Sequence, residues 1–423
     1  MFMQTLLRYP RLAREQWLPA ETIARRRWRR LQSMVEHAFA NSPFYRRRFR
    51  ELGITPADLR SADDFAKFPV TTREDLREPE DLIASGFERS RLKRSLTSGS
   101  TGRRTTSYYD ADAWMMGKHL LKLRARLACG VRPWDRVAVL QEELPAPPSL
   151  AAVRRVRSFS IHRPIDEVLP KLCAFAPAVL YGFPGYLLHL GRAAAGSLKP
   201  RLVFTSGEML DDLTRSGIEE AFGAGVLDIY GCTEVKEIAW ECPRREGYHV
   251  NADWLLLEVQ PACSGDGGRQ GTLLVTCLYN RAMPLLRYEI GDTGEMVERA
   301  CSCGRGLPLA RPTLGRSADY IALEDGTVVP PYNLTMAIRT IAGMRQFQIV
   351  QRTISRVEVL VVPRPEFGDA SRREIQERLR PVLHGLTAEV RIVEKIAPEP
   401  SGKHRVVKSE ATASPGAPPE RER

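Results

Sequence analysis

A short run of small hydroxylated residues and glycines, Ser98-Gly99-Ser100-Thr101-Gly102-Arg103, has the composition of a phosphate-binding loop. Glycine lets backbone N–H groups approach a phosphate closely, and Ser and Thr hydroxyls add further donors. The run does not end in the Gly-Lys-Ser/Thr of a P-loop. Its composition is also that of an ordinary polar turn, so the residues alone leave both interpretations open.

A second group of polar residues follows an apolar strand, in Asp228-Ile229-Tyr230-Gly231-Cys232-Thr233-Glu234. The carboxyl ends of strands are where α/β sheets bind ligands. A tyrosine ring can stack on a base, a threonine hydroxyl can bond a phosphate oxygen, and a glutamate can hold Mg²⁺. The alternative is a strand that simply ends in a loop.

Two separated Cys/His pairs make a third candidate site, formed by Cys242, His249, Cys301 and Cys303. Such pairs, brought together in a reducing compartment, are typical of a closed tetrahedral Zn²⁺ site. Four unrelated residues are the alternative, because cysteine is common in protein cores. The Cys-x-Cys pair is followed by Gly304-Arg305, which is typical of a turn, and the sequence therefore favours a structural zinc ion.

The elements that would position these residues follow from the pattern of apolar runs. Short runs at 136–140, 178–182, 201–207 and 225–231 alternate with helical stretches, which predicts an α/β core with a parallel sheet. From about residue 253 apolar and polar residues alternate, which indicates antiparallel strands or a β-barrel-like subdomain.

The two ends of the chain differ from this core. Residues 11–52 are predicted to be helical, with a break near 41–43, and Thr71–Leu76 resembles a capped helix start. Towards the other end, strands are predicted at 349–351, 356–362 and 388–396, with a helix over 369–384, which together make a small α+β unit. Residues 410–423 are predicted to be disordered, because they have little to bury.

Composition limits the class of protein. The 423 residues are 43% apolar and 27% charged, no stretch of about 18 apolar residues occurs, and no signal peptide is evident. Eight cysteines are too few for a disulfide scaffold, so we expect a cytoplasmic protein. The net charge is +12, and residues 1–50 hold twelve Arg and three Glu. This is a solvated helix face or an anion-binding arm, but no nucleic-acid-binding motif accompanies it.

Three further motifs complete an ordered series: Leu286–Asp292, Gly315–Asp319 and Pro400–Arg405. In this order, all the motifs together resemble those of the adenylate-forming superfamily. Segments Asn41–Arg46 and Phe68–Leu76 are similar to the N-terminal signature of phenylacetate–CoA ligases and their capsule-biosynthesis relatives. The resemblance covers roughly residues 30–408.

The resemblance implies a role for each matching residue. The nucleotide set is the phosphate loop Ser98, Gly99, Ser100, Thr101, Gly102 and Arg103, the adenine segment Gly207 and Glu208, the stacking Tyr230 with Asp228 and Gly231, and the ribose pair Asp292 and Arg316. The catalytic set is Thr233 at the α-phosphate, Glu234 on Mg²⁺ and Lys403 reaching the α-phosphate. The acid pocket is Tyr181, Gly182, Phe183, Val235 and Lys236. Lys236 either pairs with a second carboxylate of the substrate or is solvated.

The implied function is ATP-dependent adenylation of a carboxylic acid, aryl or another small organic acid, followed by transfer to a thiol such as CoA. Residues 324–330 depart from the Arg-Gly-x-Asn stretch common in phenylacetate–CoA ligases. Since that stretch serves the second half-reaction, we expect free CoA to be a poorer acceptor than another thiol or an amine. The alternatives are an amide-forming or carrier-loading enzyme and a catalytically silent binding relative.

The implied architecture is a large α/β domain over 1–314 with a helical start over 1–92, a hinge at 315–319 and a small mobile α+β domain over 320–409. The large domain would hold parallel sheets and a β-rich subdomain. ATP, Mg²⁺, a structural Zn²⁺ and CoA are the expected cofactors. The expected partners are a small acid and an acceptor, with a homodimer possible and neither nucleic acid nor a membrane span.

Overall fold

The structure, a computed structural model, describes residues 2–96, 105–141, 155–261, 270–316, 321–324, 328–329, 331–397 and 405–411. Its contacts divide the chain into two compact units. The first unit comprises Met1–Pro133 and Leu227–Pro312, and the second comprises Trp134–Val226 and Thr313–Arg423. The two are described separately below.

The first unit begins with three helices, α1 (Phe2–Glu15), α2 (Ala20–Asn41) and α3 (Pro43–Glu51). The break predicted near residues 41–43 is confirmed, but the helical stretch before it is also interrupted between Glu15 and Ala20. Pro19 stands at the N-cap of α2 and Pro43 opens α3. Proline lacks an N–H and suits the first turn of a helix, so each of these prolines starts a new helix.

The helix predicted to begin at Thr71 is wrong. The capping hydrogen bonds form, since the Thr72 N–H donates to Asp75 Oδ2 at 2.7 Å, but only turns follow. The backbone of Thr71 is instead paired with a distant segment. Its N–H donates to the Arg287 carbonyl at 3.2 Å, and its carbonyl accepts from the Glu289 N–H at 2.9 Å.

A hairpin and a helix come next in the first unit. Strands β1 (Lys93–Leu96) and β2 (Thr106–Tyr109) pair antiparallel and flank residues 97–104. The helix that follows consists of α4 (Ala111–Trp114), a π-helical segment over Met115–Leu121 and α5 (Lys122–Ala128). Position 117, in the π-helical segment, requires glycine because a Cβ there would be 2.6 Å from the Tyr279 hydroxyl oxygen.

The second unit contains the predicted parallel sheet. Its strands, β3 (Val137–Gln141), β4 (Val156–Ser160), β5 (Val179–Gly182) and β6 (Leu202–Ser206), lie in the order β6-β5-β3-β4 and confirm the runs at 136–140, 178–182 and 201–207. Its helices are α6 (Ile165–Phe175), α7 (Pro184–Ala194) and α8 (Asp212–Phe222). Parallel strands need helical crossovers of this kind, which explains the alternation seen in the sequence.

The remaining strands of the first unit are mainly antiparallel, as the alternation after residue 253 predicts. They are β7 (Gly225–Cys232), β8 (Lys236–Glu241), β9 (Tyr248–Val250), β10 (Leu255–Pro261), β11 (Gly271–Cys277), β12 (Tyr288–Val297) and β13 (Leu309–Arg316). Their order is β10-β11-β12-β13-β9-β8-β7. The run at 225–231 forms a strand, as predicted. This strand, β7, pairs with β8 in antiparallel orientation, whereas the run was predicted to belong to a parallel sheet.

The C-terminal part of the second unit is the predicted small α+β structure. Its elements are β14 (Ile321–Ala322), β15 (Val328–Val329), α9 (Pro331–Ile338), β16 (Met344–Thr353), β17 (Arg356–Pro363), α10 (Asp369–Val382), β18 (Glu389–Ile392) and β19 (Val407–Ser409). Four strands form a sheet in the order β18-β17-β16-β19 over a buried core that includes Ile349, Val359 and Ile375. In the described part of the chain, no helix combines the length and apolar character that crossing a bilayer requires.

Candidate active site

The turn between β7 and β8 carries two of the predicted catalytic residues, Thr233 and Glu234. Cys232 pairs with Lys236, so Thr233–Val235 form a three-residue hairpin loop. Position 231, just before Cys232, requires glycine because any Cβ there would clash with the Lys236 carbonyl. The tight hairpin therefore presents the threonine and the glutamate side by side at one strand end.

Tyrosine hydroxyls hold this loop in place. Tyr109 donates to the carbonyl of Thr233 at 2.9 Å and also contacts the Glu234 carbonyl. Tyr279 donates to the Val235 carbonyl at 2.6 Å. Both tyrosines are buried, and burial raises the pKa of each, so they stay protonated donors. The loop backbone is thus fixed by side chains from β2 and from the segment after β11.

The carboxylate of Glu234 is itself positioned by a hydrogen bond. Tyr288 donates to Glu234 Oε1 at 3.0 Å, and only 6% of Glu234 is exposed. Burial, together with the neighbouring carboxylate, raises the pKa of Tyr288. A carboxylate oriented in this way suits Mg²⁺, which binds proteins through one or two carboxylates and keeps its remaining positions for water and phosphate.

Two residues predicted to contact the nucleoside meet in the structure. The Tyr230 hydroxyl donates to Asp292 Oδ2 at 2.8 Å and so links β7 to β12. This places the expected stacking ring beside the expected ribose carboxylate. Asp228, two residues earlier on β7, is buried and accepts a hydrogen bond from Tyr248 at 3.0 Å.

The predicted adenine and acid-pocket segments of the second unit lie together. Gly207 has a φ of +81°, and a Cβ there would approach Phe183 Cε1 to 2.8 Å. The aromatic ring therefore needs a glycine at this position. Glu208 Oε2 accepts the N–H of Gly185 in the first turn of α7 at 3.0 Å. Tyr181 and Gly182 end β5 just before this contact.

Part of the predicted site lies outside the described residues. This applies to the phosphate loop Ser98–Arg103, to Lys403 and to hinge residues 317–319. Arg316 is the last residue of β13, and the structure describes its backbone alone. The roles of these residues stay predictions.

Sequence reasoning missed the three tyrosines that hold the loop. Tyr109, Tyr279 and Tyr288 lie 124, 44 and 54 residues from the atoms they contact. No spacing rule connects residues so far apart. The available signals were weak: Tyr109 ends the strand that follows the predicted phosphate loop, and Tyr288 lies inside the motif Leu286–Asp292.

The predicted zinc ligands converge in the first unit. Cys242 follows β8, His249 is in β9, and Cys301 and Cys303 precede β13, which pairs with β9 at His249. The four ligand atoms lie within 4.8 Å of one another, with 3.7 Å between the sulfurs of Cys242 and Cys301 and 3.3 Å from Cys303 Sγ to His249 Nε2. Tetrahedral zinc with Zn–S bonds of ~2.3 Å separates two sulfurs by about 3.8 Å.

The environment of the cluster also suits a metal ion. Cys242 and His249 are fully buried, and Cys301 is 5% exposed. Burial, reinforced by the positive charge of Arg305, lowers the pKa of His249 to about 4, so the imidazole is neutral near pH 7, as a ligand must be. These residues fit Zn²⁺, and sheet pairing explains how ligands so far apart in sequence come together.

Comparison with known proteins agrees with this geometry. Residues 321–410 match the family described as CapK C-terminal domain. The chain is 26% identical over 403 residues to the phenylacetate–coenzyme A ligase of Thermus thermophilus, covering 90% of each protein. It is 29% identical over 332 residues to the Escherichia coli K12 enzyme of the same name, covering 71% of this chain and 72% of that one.

A solved structure extends the similarity to the three-dimensional fold. The postadenylation state of 2-hydroxyisobutyryl-CoA ligase, in complex with 2-HIB-AMP, has a TM-score of 0.78 and 25% identity, and covers 94% of this chain and 91% of that chain. Over most of its length the chain is therefore similar to adenylate-forming CoA ligases, and its named relatives are phenylacetate–CoA ligases and CapK, which confirms the resemblance seen in the sequence.

Proposed function

We propose that this protein catalyses ATP-dependent adenylation of a carboxylic acid and then transfers the acyl group to the thiol of CoA. The observation that carries the proposal is the strand end at which Thr233 and Glu234 lie beside the Tyr230–Asp292 pair. This arrangement offers a phosphate contact, a metal carboxylate and a nucleoside contact within one hairpin and its neighbouring strand. It makes a catalytically silent relative the weaker alternative.

In the first half-reaction an oxygen of the acid attacks the α-phosphorus of ATP, and pyrophosphate leaves with the electrons of the broken P–O bond. The acid is already ionised near pH 7, so no general base is needed. Mg²⁺ held by Glu234 would neutralise charge on the phosphates. Thr233 and the loop Ser98–Arg103 orient the phosphates, and Lys403 stabilises charge at the α-phosphate.

In the second half-reaction the acceptor sulfur attacks the acyl carbonyl, the C–O bond to phosphate breaks and AMP leaves. Relatives named as CoA ligases favour CoA as the acceptor. They speak against the expectation, drawn from residues 324–330, that free CoA is a poor acceptor. We propose that this stretch sets the rate of the step and not the choice of CoA. A carrier protein or an amine as acceptor, and a homodimer, receive no comparable support.

The proposed acid is a small organic or aryl acid. The relatives are named for phenylacetate and 2-hydroxyisobutyrate. In the second unit the predicted pocket residues are Tyr181, Gly182 and Phe183. Phe183 packs against Gly207, and an aromatic ring held in this way suits a flat or compact acyl group.

We also propose that Cys242, His249, Cys301 and Cys303 bind one Zn²⁺. The ion would have a structural role, because four protein ligands complete its coordination and leave no position for substrate. Seven cysteines are free thiols in the described part of the chain, which suits a reducing compartment such as the cytoplasm.

The decisive experiment is ATP–pyrophosphate exchange across a panel of aryl, hydroxy and short aliphatic acids with Mg²⁺. One class of acid should support exchange well above the background, and CoA should then consume the accumulated acyl-AMP. A Glu234→Gln variant is the control, and its exchange should fall by about 10²-fold or more. Absence of exchange with every acid in a zinc-loaded, folded preparation would overturn the proposed function.

A further inference from the structure

Lys236 occupies an unusual backbone position. It is the first residue of β8 and closes the Thr233–Val235 loop with a φ of +60°. This left-handed conformation favours glycine, and three-residue hairpin loops commonly place glycine at such a residue. A lysine is unfavourable here on backbone grounds alone, so its side chain must be the reason for its presence.

The ammonium group of Lys236 joins two parts of the first unit. Its Nζ donates to Ser95 Oγ at 2.6 Å and to the Thr233 carbonyl at 2.7 Å. It also lies 4.7 Å from the ring centroid of Tyr109 and 5.3 Å from that of Trp114. Ser95 is in β1 and Tyr109 in β2, the two strands that flank residues 97–104.

This position is also costly for a charge. Burial lowers the pKa of Lys236 to about 8. The titratable groups around it are Lys118, which lowers the pKa further, Cys232, Glu234 and Glu237, which raise it, and the buried Tyr109. Glu237 is itself 3.7 Å from Lys122. Neither the backbone nor the solvation of this residue favours folding, a combination typical of functional positions.

We propose that Lys236 is a positioning residue of the adenylation site, whose ammonium ties the strands flanking the phosphate loop to the Thr233–Glu234 turn. The proposal rests on the proposed function, since it assigns the phosphates to residues 98–103 and Mg²⁺ to Glu234. The ammonium contacts β1 and the Thr233–Val235 loop at once, and it therefore fixes the position of that loop, and of Glu234 within it, relative to the hairpin of β1 and β2. Both hydrogen bonds are charge-assisted, which strengthens this link.

The test compares Lys236→Met, Lys236→Arg and the wild type in pyrophosphate exchange at one near-neutral pH. Lys118→Met is the matched control, because the Lys118 ammonium lies 4.5 Å from the centroid of the same Trp114 ring. We expect kcat of Lys236→Met to be about 10- to 100-fold lower than that of the wild type. Lys118→Met should keep the wild-type rate.

Two further measurements separate positioning from mere stability. Lys236→Arg keeps a charged donor at this position, so partial recovery of the rate lost in Lys236→Met supports the proposal. Lys236→Met should melt no lower than the wild type, because it removes a buried charge. Ser95→Ala breaks the same link from the other side, should slow exchange in the same direction and serves if Lys236→Met does not fold.

The proposal fails if folded Lys236→Met exchanges within twofold of the wild type, or if Lys236→Arg recovers none of the lost rate. Where Lys236→Met does not fold, a wild-type rate in Ser95→Ala overturns the proposal instead. Failure of the proposed function looks different, because the wild type itself would then show no exchange with any acid.

Discussion

At the scale of single residues, the hydroxyl of Tyr288 should matter for Mg²⁺ more than for folding. It donates to Glu234 Oε1 at 3.0 Å, and groups that orient metal-binding carboxylates typically contribute about 10- to 100-fold to metal affinity or activity. Tyr288→Phe should therefore raise the Mg²⁺ concentration needed for half-maximal pyrophosphate exchange by about tenfold.

The control for this change is Tyr279→Phe. That hydroxyl donates to the Val235 carbonyl and not to a carboxylate. Losing it leaves a buried carbonyl unpaired at a cost of about 1–3 kcal/mol, so the melting temperature should drop while Mg²⁺ dependence stays that of the wild type. Equal Mg²⁺ dependence in Tyr288→Phe and the wild type would count against Glu234 as the metal carboxylate.

Lys403 carries the prediction that depends on sequence motifs alone. Removing one preorganised charge contact to a transition state costs about 2.7–4 kcal/mol, so Lys403→Ala should slow adenylation by about 10²- to 10³-fold. ATP binding should change little, which calorimetry can measure. Lys408→Ala is the control, because Lys408 pairs with Glu410 on β19 and is 38% exposed. Full exchange activity in Lys403→Ala would refute this assignment.

The pKa of Lys236 also predicts how stability depends on pH. Its folded pKa of about 8 lies below the ordinary 10.5, so the unfolded chain binds more protons at this site between these two pH values. The free energy of unfolding therefore gains a contribution from Lys236 as pH rises from about 8 to 10.5, and lacks it below pH 8. Lys236→Met should lose this rise, which chemical denaturation at several pH values can measure against the wild type.

At the scale of elements, the pairing of β9 with β13 and the position of β8 create the zinc cluster. Purified protein should contain about one Zn²⁺ per chain, and Cys301→Ser should lower both the metal content and the melting temperature. Cys277→Ser is the matched control, because Cys277 is 1% exposed and is not among the clustered ligands. It should destabilise the protein without metal loss. Metal-free protein of unchanged stability would contradict the zinc proposal.

The pair of strands β14 and β15 accounts for part of residues 324–330, where the sequence departs from the Arg-Gly-x-Asn stretch common in phenylacetate–CoA ligases. Ala322 pairs with Val328, and the Asp-Gly pair between these strands is a typical hairpin turn sequence. Val329 is buried, so part of this stretch serves the core of the small α+β structure. Strand β15 thus occupies part of the stretch that departs from the Arg-Gly-x-Asn pattern.

At the scale of the whole molecule, the departure at residues 324–330 predicts that changes in this stretch affect the second half-reaction and not the first. Replacing residues 324–328 by a segment that carries Arg-Gly-x-Asn should accelerate consumption of pre-formed acyl-AMP by CoA, by about tenfold if one charge-assisted contact is restored. Pyrophosphate exchange should not change. A scrambled segment of the same length is the control, and an equal rate in both variants would show that the stretch does not act on the thiol step.

Part of the positive charge of the whole chain is engaged in contacts within the chain, and the basic N-terminal segment shows this. Arg8 pairs with Asp112 and Arg26 with Glu15, each at 2.9 Å, and the Arg30 guanidinium lies 3.8 Å from the centroid of Trp254. Arg8 and Arg30 therefore hold α1 and α2 against the rest of the first unit, and Arg26 joins α2 to α1. This favours a structural role for the segment over an anion-binding arm.

The sequence by itself determined the strands, the order of the motifs and the resemblance to a family. Strand periodicity and turn residues are local properties, and motifs such as Tyr230–Glu234 keep their spacing because one strand end must present them together. Two predictions of helices were wrong. The helical stretch that begins at residue 11 is also interrupted at Pro19, and the helix expected at Thr71 gave way to pairing with the distant segment at Arg287 and Glu289.

Only the tertiary structure decided which side chains support the site. The contacts of Tyr279, Tyr288 and Lys236 join segments that lie up to 141 residues apart, and no periodicity encodes such a distance. The zinc ligands show the intermediate case, since their chemistry suggested a site but only sheet pairing brings them within 4.8 Å. Hydrogen bonds and metal coordination require positions accurate to a few tenths of an ångström, and packing alone sets positions to that accuracy.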